Sequence, residues 1–212
     1  GEVTYKLFDG EETPLQEEYE PVGVPKRSVD LRELFPPVKD QGALGACSAF
    51  SMVSIYEYIL KKTGRAENLS ERFVYYNVLS DSGDMADSGA SLFRVVDSIT
   101  RHGVCADNLC RYDVEKFQVK PSEEAYMSAT SHKIKCAKNV KLCHKDITSA
   151  LSEGFPVAIS LKIYDSFGEN RKGFIYKPSE AEVENGNSGN HAMVICGYSE
   201  EEKVYIVRNS WG

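Results

Sequence analysis

The hydrophobic periodicity of this chain changes between its first and second halves, and that change limits the fold more than any other feature. Over residues 46–62 the apolar residues recur at steps of three and four, which is typical of an amphipathic helix. Over residues 156–163 apolar and polar residues alternate instead, as they do in a strand. Helices followed by strands predict an α+β fold in which a helical lobe packs against a sheet lobe. We expect a concave site at the boundary between the lobes.

Shorter periodic segments extend this pattern. Ser70 is a suitable N-cap for a second helix, and a third helix is predicted over residues 91–101. In the second half, a short helix is predicted over residues 146–153. Two further strands are predicted over residues 191–198 and 203–207, separated by an acidic turn.

Length and charge exclude several classes of partner. The chain has 212 residues, which suits one large domain or two small lobes. Its net charge of -7 argues against nucleic acid, because phosphates require a basic face. No apolar run approaches the ~20 residues that a bilayer-spanning helix needs, so no membrane partner is expected. Residues 1–4 lack the basic and apolar regions of a signal peptide, and none is expected here.

Residues 1–27 form a polar, acidic segment with seven acids and three bases. Three prolines interrupt any periodicity, so the segment is predicted to be extended and held on a surface. Two interpretations stay open: an N-terminal extension, or the remnant of a pro-segment that lies across a domain formed by residues 28–212.

Four of the six cysteines form two local pairs, Cys105 with Cys110 and Cys136 with Cys143. Each pair could close a short loop, and we predict two disulfide bonds in a secreted or exported protein. The alternative is a zinc site that uses these cysteines with His132 or His144. The cysteine spacings are wider than in the usual zinc knuckle, which argues against that alternative.

A glycine-bearing loop over residues 37–46 runs directly into the first predicted helix, and Cys47 stands at the helix start. Free N–H groups and the positive end of the helix dipole gather there and stabilise a thiolate. Gln41 offers an amide donor that, with the backbone N–H of Cys47, would form a two-donor hole for an oxyanion. The alternative is a buried structural cysteine that begins a core helix.

His191 heads one predicted strand, and Asn209 lies at the end of the next one. Antiparallel pairing of these strands brings the two residues to the same end of the sheet. An asparagine that accepts from one ring nitrogen would fix the histidine tautomer and leave the other nitrogen facing a thiol. Trp211, the only tryptophan, would cover that hydrogen bond. A lone histidine at such a position is usually a packing residue.

Three segments of the chain resemble the signature blocks of the papain family of cysteine proteases. The blocks are Gln41-Gly42-x-x-Gly45-Ala46-Cys47, Asn190-His191-Ala192 and Arg208-Asn209-Ser210-Trp211-Gly212. The separation of Cys47 from His191 lies inside the interval expected for that family. The similarity extends from about Val29 to the last residue.

The resemblance implies a two-lobed papain-like fold with a helical left lobe, an antiparallel sheet right lobe and the cleft between them. It implies Cys47 as nucleophile, His191 as general base and then acid, Asn209 as its orienting residue and Gln41 as oxyanion donor. The implied reaction is hydrolysis of peptide or protein substrates through an acyl-enzyme thioester, by a monomer without cofactor or metal.

The resemblance also implies a set of substrate-binding residues. Gly89 and Ala90 stand where the family pairs with the extended substrate backbone. Ala192 would line the pocket for the second residue before the scissile bond, and Asn190 would offer its carbonyl oxygen. Trp211 would shield the site.

The chain departs from the family at several positions. Leu44 replaces a cysteine that in many eukaryotic members forms a disulfide beside the active site, and Ser48 replaces a bulky aromatic residue. A small residue after the nucleophile resembles bacterial members more than animal or plant cathepsins. Cys196 is then expected to be a free, buried, inert residue. Family members continue past Gly212, so further strands of the sheet lobe are expected to follow.

Two other classes of function stay open at this stage. One is a latent or non-catalytic homologue whose cleft is occluded by the N-terminal segment. The other is a redox or metal protein that uses the paired cysteines. The acidic run that contains Asp81, Asp84 and Asp87 could suggest calcium, but it lacks the full loop pattern, and a solvated loop is favoured.

Overall fold

The computed structural model describes residues 16–169, 173, 178–186 and 188–212. Its helices are α1 (Cys47–Lys62), α2 (Glu71–Asp81), α3 (Leu92–His102), α4 (Glu123–Ala129), α5 (His144–Ser152) and α6 (Glu180–Asn185). Its strands are β1 (Gln16–Glu18), β2 (Ser28–Asp30), β3 (Ala137–Asn139), β4 (Val157–Ile163), β5 (Gly189–Ser199) and β6 (Val204–Arg208). Within these ranges no helix combines the length and apolarity that crossing a membrane requires.

The first lobe consists of helices α1 to α4, and serine caps visible in the sequence begin α2 and α3. Ser70 accepts a hydrogen bond from the N–H of Phe73 at the start of α2, and Ser91 does the same for Arg94 in α3. Gly103 ends α3 with a φ of 79°, a conformation that costs glycine little. The helices predicted in the first half are therefore confirmed.

The second lobe is a four-stranded antiparallel sheet in which β5 pairs with β2, β4 and β6. The strands predicted from residues 156, 191 and 203 onward are all present, each within two residues of the predicted start. Helix α5 packs on this sheet, and Leu151 and Tyr198 lie in their common core. The α+β, two-lobed fold is confirmed.

The two lobes meet along α1, which lies against β5. Tyr58 of α1 is buried in one cluster with Phe35, Val194 and Cys196. Helix α1 therefore belongs to both lobes, because one side of it packs in the helical core and another side on the sheet. Its first residue lies where the lobes part.

The N-terminal strap, residues 16–27, packs on the sheet lobe. Strand β1 pairs in parallel with β3, and Tyr19 is buried among residues of α5 and β5. Tyr198, near the end of β5, donates a hydrogen bond to the carbonyl of Lys26. The strap thus reaches the end of β5 opposite to His191. The rest of the acidic segment, residues 1–15, lies outside the described residues.

All six cysteines lie in the described part of the chain and have free thiols, so neither predicted disulfide is formed. Cys105 and Cys110 are buried in a core cluster with Phe73. Cys136 and Cys143 are exposed, on either side of β3. Among the described residues, no group of three or more His, Cys, Asp or Glu could hold a metal ion. The cysteines and histidines of the zinc alternative therefore form no such group.

Candidate active site

Cys47 is the first residue of α1 and is half-buried. The first turn of α1, all of it described, contains no acidic residue that would oppose a thiolate. The sulfur accepts a hydrogen bond from the backbone N–H of Ala192, with 3.3 Å between Sγ and N. This contact joins residues 145 positions apart in the sequence and places the sulfur against β5 beside His191.

His191 is 4% exposed and is held by the asparagine that follows the next strand. Val194 of β5 pairs with Arg208 of β6, which brings the following Asn209 to the His191 end of the sheet. The distance from Nε2 of His191 to Oδ1 of Asn209 is 2.7 Å. Because the amide oxygen can only accept, Nε2 carries the hydrogen and Nδ1 is the remaining nitrogen.

The environment of His191 favours its neutral form. Burial lowers the pKa of His191, and the hydrogen bond to Asn209 raises it in part. Among the hydrogen bonds of the described residues, none joins the imidazole directly to the sulfur of Cys47. Catalytic hydrogen bonds are often long in a site without substrate and tighten when substrate binds.

Aromatic rings cover the histidine. Trp211 stacks on the imidazole, with 4.7 Å between ring centroids and 28° between planes. Phe167 meets both rings edge-on, 5.5 Å from Trp211 and 6.3 Å from His191. Trp211 is 45% exposed, so the stack forms a wall between the imidazole and solvent. Sequence reasoning identified Trp211 but missed Phe167, which lies outside the three motifs.

Gln41 lies in the loop before α1 and is 6% exposed. Its Nε2 donates to the carbonyl of Leu44 at 2.8 Å, and its Oε1 accepts from the hydroxyl of Ser210 at 2.5 Å. The amide group is therefore fixed at both ends, and one of its two N–H hydrogens remains for a ligand. Sequence reasoning missed the part played by Ser210, although this residue stands inside the third motif.

The predicted substrate-binding residues lie on both sides of Cys47. Gly89 touches the loop over residues 37–46, called the nucleophile loop below, since a Cβ built on Gly45 would lie 3.2 Å from the Cα of Gly89. Ala90 packs on the core of the helical lobe. Asn190 is exposed next to His191. Ala192 is only 4% exposed, and its N–H is the group that contacts the sulfur.

A buried ion cluster lies behind the site. Lys39 donates to Glu57 at 2.9 Å and to Glu71 at 2.7 Å, and the side chains of both acids are 2% exposed. Burial raises the pKa of Glu71 to about 7 against the opposing effect of Lys39. A small cavity lined by these three residues also reaches Asn209 and Ser210. Sequence reasoning did not identify this cluster.

The three aspartates considered for calcium do not converge. Asp81 pairs with Arg101 and His102, and the carboxylate of Asp84 accepts from the N–H of Ala86. Asp87 bonds to the nucleophile loop through Gly45. Cys196, by contrast, matches its expectation: it is free and 1% exposed, and burial raises its pKa to about 11.

The family described as "Papain family cysteine protease" has a model that matches residues 25–212. The chain belongs to this family. An uncharacterized peptidase C1-like protein of Acanthamoeba polyphaga mimivirus is 35% identical over 193 residues, which cover 82% of this chain. Cathepsin B-like CP3 of Giardia intestinalis is 30% identical over 197 residues, which cover 87%.

Solved structures agree with this assignment. Xylellain, a cysteine protease from Xylella fastidiosa, is 25% identical with a TM-score of 0.83, over 93% of this chain and 80% of that one. The digestive procathepsin L 3 of Tenebrio molitor larval midgut has the same fold at 21% identity, with a TM-score of 0.76 over 96% of this chain and 66% of that one. The expected likeness to bacterial members is confirmed by xylellain.

The chain spans only part of its curated relatives. The matched region covers 59% of the mimivirus protein and 64% of the Giardia protein.

Proposed function

We propose that this chain is a cysteine peptidase that hydrolyses peptide bonds through Cys47, His191 and Asn209. The observation that carries the proposal is the contact of the Cys47 sulfur with the N–H of Ala192, 3.3 Å away. It puts the sulfur beside a histidine whose Nε2 is held by Asn209 at 2.7 Å. A thiol, a base and an orienting residue are the parts that nucleophilic catalysis needs.

In the proposed reaction the Cys47 thiol gives its proton to Nδ1 of His191, and the thiolate attacks the carbonyl carbon of the scissile bond. The carbonyl electrons move onto oxygen, and the second N–H of Gln41 with the backbone N–H of Cys47 stabilises that oxyanion. The intermediate collapses, the C–N bond breaks, and His191 protonates the leaving amine. Water then attacks the thioester with His191 as base, which releases the acid and restores the thiol.

The neighbouring side chains support these roles. Ser210 and Leu44 fix the Gln41 amide at its oxygen and at one hydrogen. Because the amide is already oriented, it needs little further ordering when the oxyanion forms. Trp211 and Phe167 cover the imidazole, and exclusion of water strengthens the hydrogen bond to Asn209. The half-buried Gly89 and the exposed Asn190 are proposed to bind the substrate backbone.

We also propose the division of the chain into an acidic segment, residues 1–27, and a peptidase domain, residues 28–212. The start of the family match at residue 25 supports it. Peptides or proteins are the proposed substrates. Occlusion of the cleft by the N-terminal segment finds no support in the strap, which lies at the opposite end of β5 from His191. Residues 1–15 fall outside the described residues. Export and a monomeric state stay predictions.

The test is hydrolysis of a broad set of fluorogenic peptides, together with labelling by a thiol-directed epoxide. Cys47→Ala should abolish hydrolysis and labelling, and His191→Ala should reduce hydrolysis by at least about 100-fold, the usual scale for a general base. Cys136→Ala is the matched control, because its thiol is exposed and lies outside the site. It should keep full activity and full labelling at Cys47.

The proposal fails if the wild-type protein hydrolyses none of the peptides and its Cys47 reacts no faster than Cys136. A protein that binds the peptides without cleaving them would instead be a cleft-binding homologue.

A further inference from the structure

Asp87 lies in the segment between α2 and α3, residues 82–91, and its carboxylate reaches the loop that carries the nucleophile. The backbone N–H of Gly45, two residues before Cys47, donates to both carboxylate oxygens, at 2.9 and 3.2 Å. The hydroxyl of Tyr75 donates to one of the same oxygens. One side chain therefore joins α2, the nucleophile loop and segment 82–91.

A second hydrogen bond closes this arrangement into a ring. The Tyr75 hydroxyl accepts from the backbone N–H of Gly89 at 3.3 Å, while it donates to Asp87. Gly45 and Gly89 also touch, since a Cβ added to Gly45 would lie 3.2 Å from the nitrogen of Gly89 and from Oδ1 of Asp87. We call these groups the polar clamp: Tyr75, Asp87 and the N–H groups of Gly45 and Gly89.

The clamp has a rigid anchor. Tyr75 is 0% exposed within the core of the helical lobe. Burial and the hydrogen bond to Asp87 both raise the pKa of Tyr75, so its hydroxyl stays protonated and able to donate. Asp87 itself lies at the surface, where its carboxylate has water as an alternative partner. The fixed phenol and the backbone N–H of Gly45 thus hold Asp87 and Gly89 of segment 82–91 in place.

The nucleophile loop has supports of its own that do not involve Asp87. The N–H of Gln41 donates to the carbonyl of Ser210 at 2.9 Å, and the Tyr112 hydroxyl donates to the carbonyl of Gln41 at 2.7 Å. Cys47 is further held as the first residue of α1. Gln118 also donates to the carbonyl of Met85, at the middle of segment 82–91, at 2.9 Å. Loss of the Asp87 carboxylate should therefore loosen the Gly89 end of this segment and leave Cys47 in place.

We propose that Asp87 is a positioning residue that holds Gly89 and Ala90 at the distance from Cys47 that an extended peptide requires. This inference rests on the proposed function, because Gly89 and Ala90 are the proposed contacts of the substrate backbone. In this chain Leu44 has no thiol to link the nucleophile loop covalently, and all six cysteines are free. The polar clamp supplies a non-covalent link between this loop and segment 82–91.

The main experiment measures peptide binding without turnover, in a Cys47→Ala background. Isothermal titration uses two uncleaved peptide amides, one with a single residue and one with four residues before the position of the scissile bond. Asp87→Ala should weaken binding of the longer peptide about tenfold, the scale of one hydrogen bond to a charged group, and leave the shorter peptide within about twofold. Asp87→Asn keeps an acceptor and should recover most of the loss.

The matched control is Asp84→Ala. Asp84 belongs to the same segment and bonds only within it, to the N–H of Ala86 in the described structure. Asp84→Ala should leave the affinities for both peptides unchanged. With Cys47 present, the rate of alkylation by iodoacetamide, which needs no substrate segment, should stay within about twofold in Asp87→Ala.

Amide hydrogen exchange gives a readout that is independent of peptides and of activity. In Cys47→Ala, exchange at Gly89 should become about tenfold faster with Asp87→Ala, and should not change with Asp84→Ala. Two results would overturn the inference. One is that Asp87→Ala does not weaken binding of the longer peptide, and the other is that it lowers the alkylation rate as far as the peptide affinity. Failure of the proposed function would appear separately, as absence of hydrolysis by the wild-type protein.

Discussion

Asn209 shows how much of the site is determined at the scale of single residues. Its amide oxygen accepts from His191 Nε2 at 2.7 Å and from the N–H of Ser210 at 2.8 Å. The backbone bond leaves the oxygen only one free direction, which points at the imidazole. A single amide thus fixes the tautomer of the histidine and counteracts part of the effect of burial on its pKa.

We expect Asn209→Ala to lower the pKa of His191 further, because burial remains and the hydrogen bond that raises the pKa is lost. The imidazolium would then be less populated at a given pH, and hydrolysis should fall by roughly tenfold or more as the ring loses its orientation. NMR titration of the His191 ring in Cys47→Ala and in the double variant measures the change. Asn190→Ala is the control, and a pKa that stays or rises in Asn209→Ala contradicts the prediction.

The convergence of Cys47, His191 and Asn209 in the candidate site could be predicted because local sequence marks the element ends at which these residues lie. Cys47 follows a glycine loop and begins a helix, and Asn209 directly follows the strand that pairs with the one in which His191 lies near the start. Phe167, in contrast, reaches His191 only through the folded path of residues 165–169, which has no periodicity to read. The disulfide prediction finds no support in the structure, where Cys105 and Cys110 are free thiols within a core, because the spacing of cysteines alone does not determine whether they bond.

At the scale of elements, the strap is the part whose placement the sequence did not give. Its acidic composition indicated a surface segment, but Tyr19 is 7% exposed and its hydroxyl donates to Glu153 at the end of α5. The pairing of β1 with β3 joins residues 121 positions apart, through Asn139 and Glu18, and no local pattern predicts such a partner. The strap therefore packs as a component of the sheet lobe.

We expect Tyr19→Ala to reduce the free energy of unfolding by about 2–4 kcal/mol, since it removes a buried ring and a hydrogen bond. Denaturant unfolding measures the loss. Val24→Ala in the same strap is the control, because Val24 is 93% exposed and should change stability by less than about 0.5 kcal/mol. Hydrolysis per folded molecule should not change, since the strap lies away from His191. Wild-type stability in Tyr19→Ala would mean that the strap is dispensable.

At the scale of the whole molecule, the ion cluster ties α1, α2 and the nucleophile loop together under the cleft. Glu71 has its pKa raised from 4.5 to about 7 in the folded protein, mainly by burial. The folded state therefore binds this proton more tightly than the unfolded state. The stability that this proton contributes is complete below the pKa of Glu71 in the unfolded state. It is lost as the pH rises through the pKa of Glu71 in the folded state.

The unfolding free energy of the wild-type protein should fall between pH 5 and pH 8. We expect Glu71→Gln to make this fall smaller by about 1 kcal/mol or more. The glutamine keeps an acceptor for Lys39 but has no proton to lose. Urea unfolding at several pH values provides the measurement, and Glu124→Gln, at an exposed position of α4, is the control. If the unfolding free energies of Glu71→Gln and the wild-type protein change in parallel with pH, Glu71 does not titrate in this interval.

The contact between Cys47 and Ala192 also has a consequence for synthesis. The two residues stand 145 positions apart, so the helix that carries the thiol leaves the ribosome long before the strand that carries the imidazole. Until β5 is made and docks on α1, the sulfur has no base beside it. If the proposed chemistry is correct, a nascent chain cannot hydrolyse itself or its neighbours. Its peptidase activity begins only when β5 docks on α1.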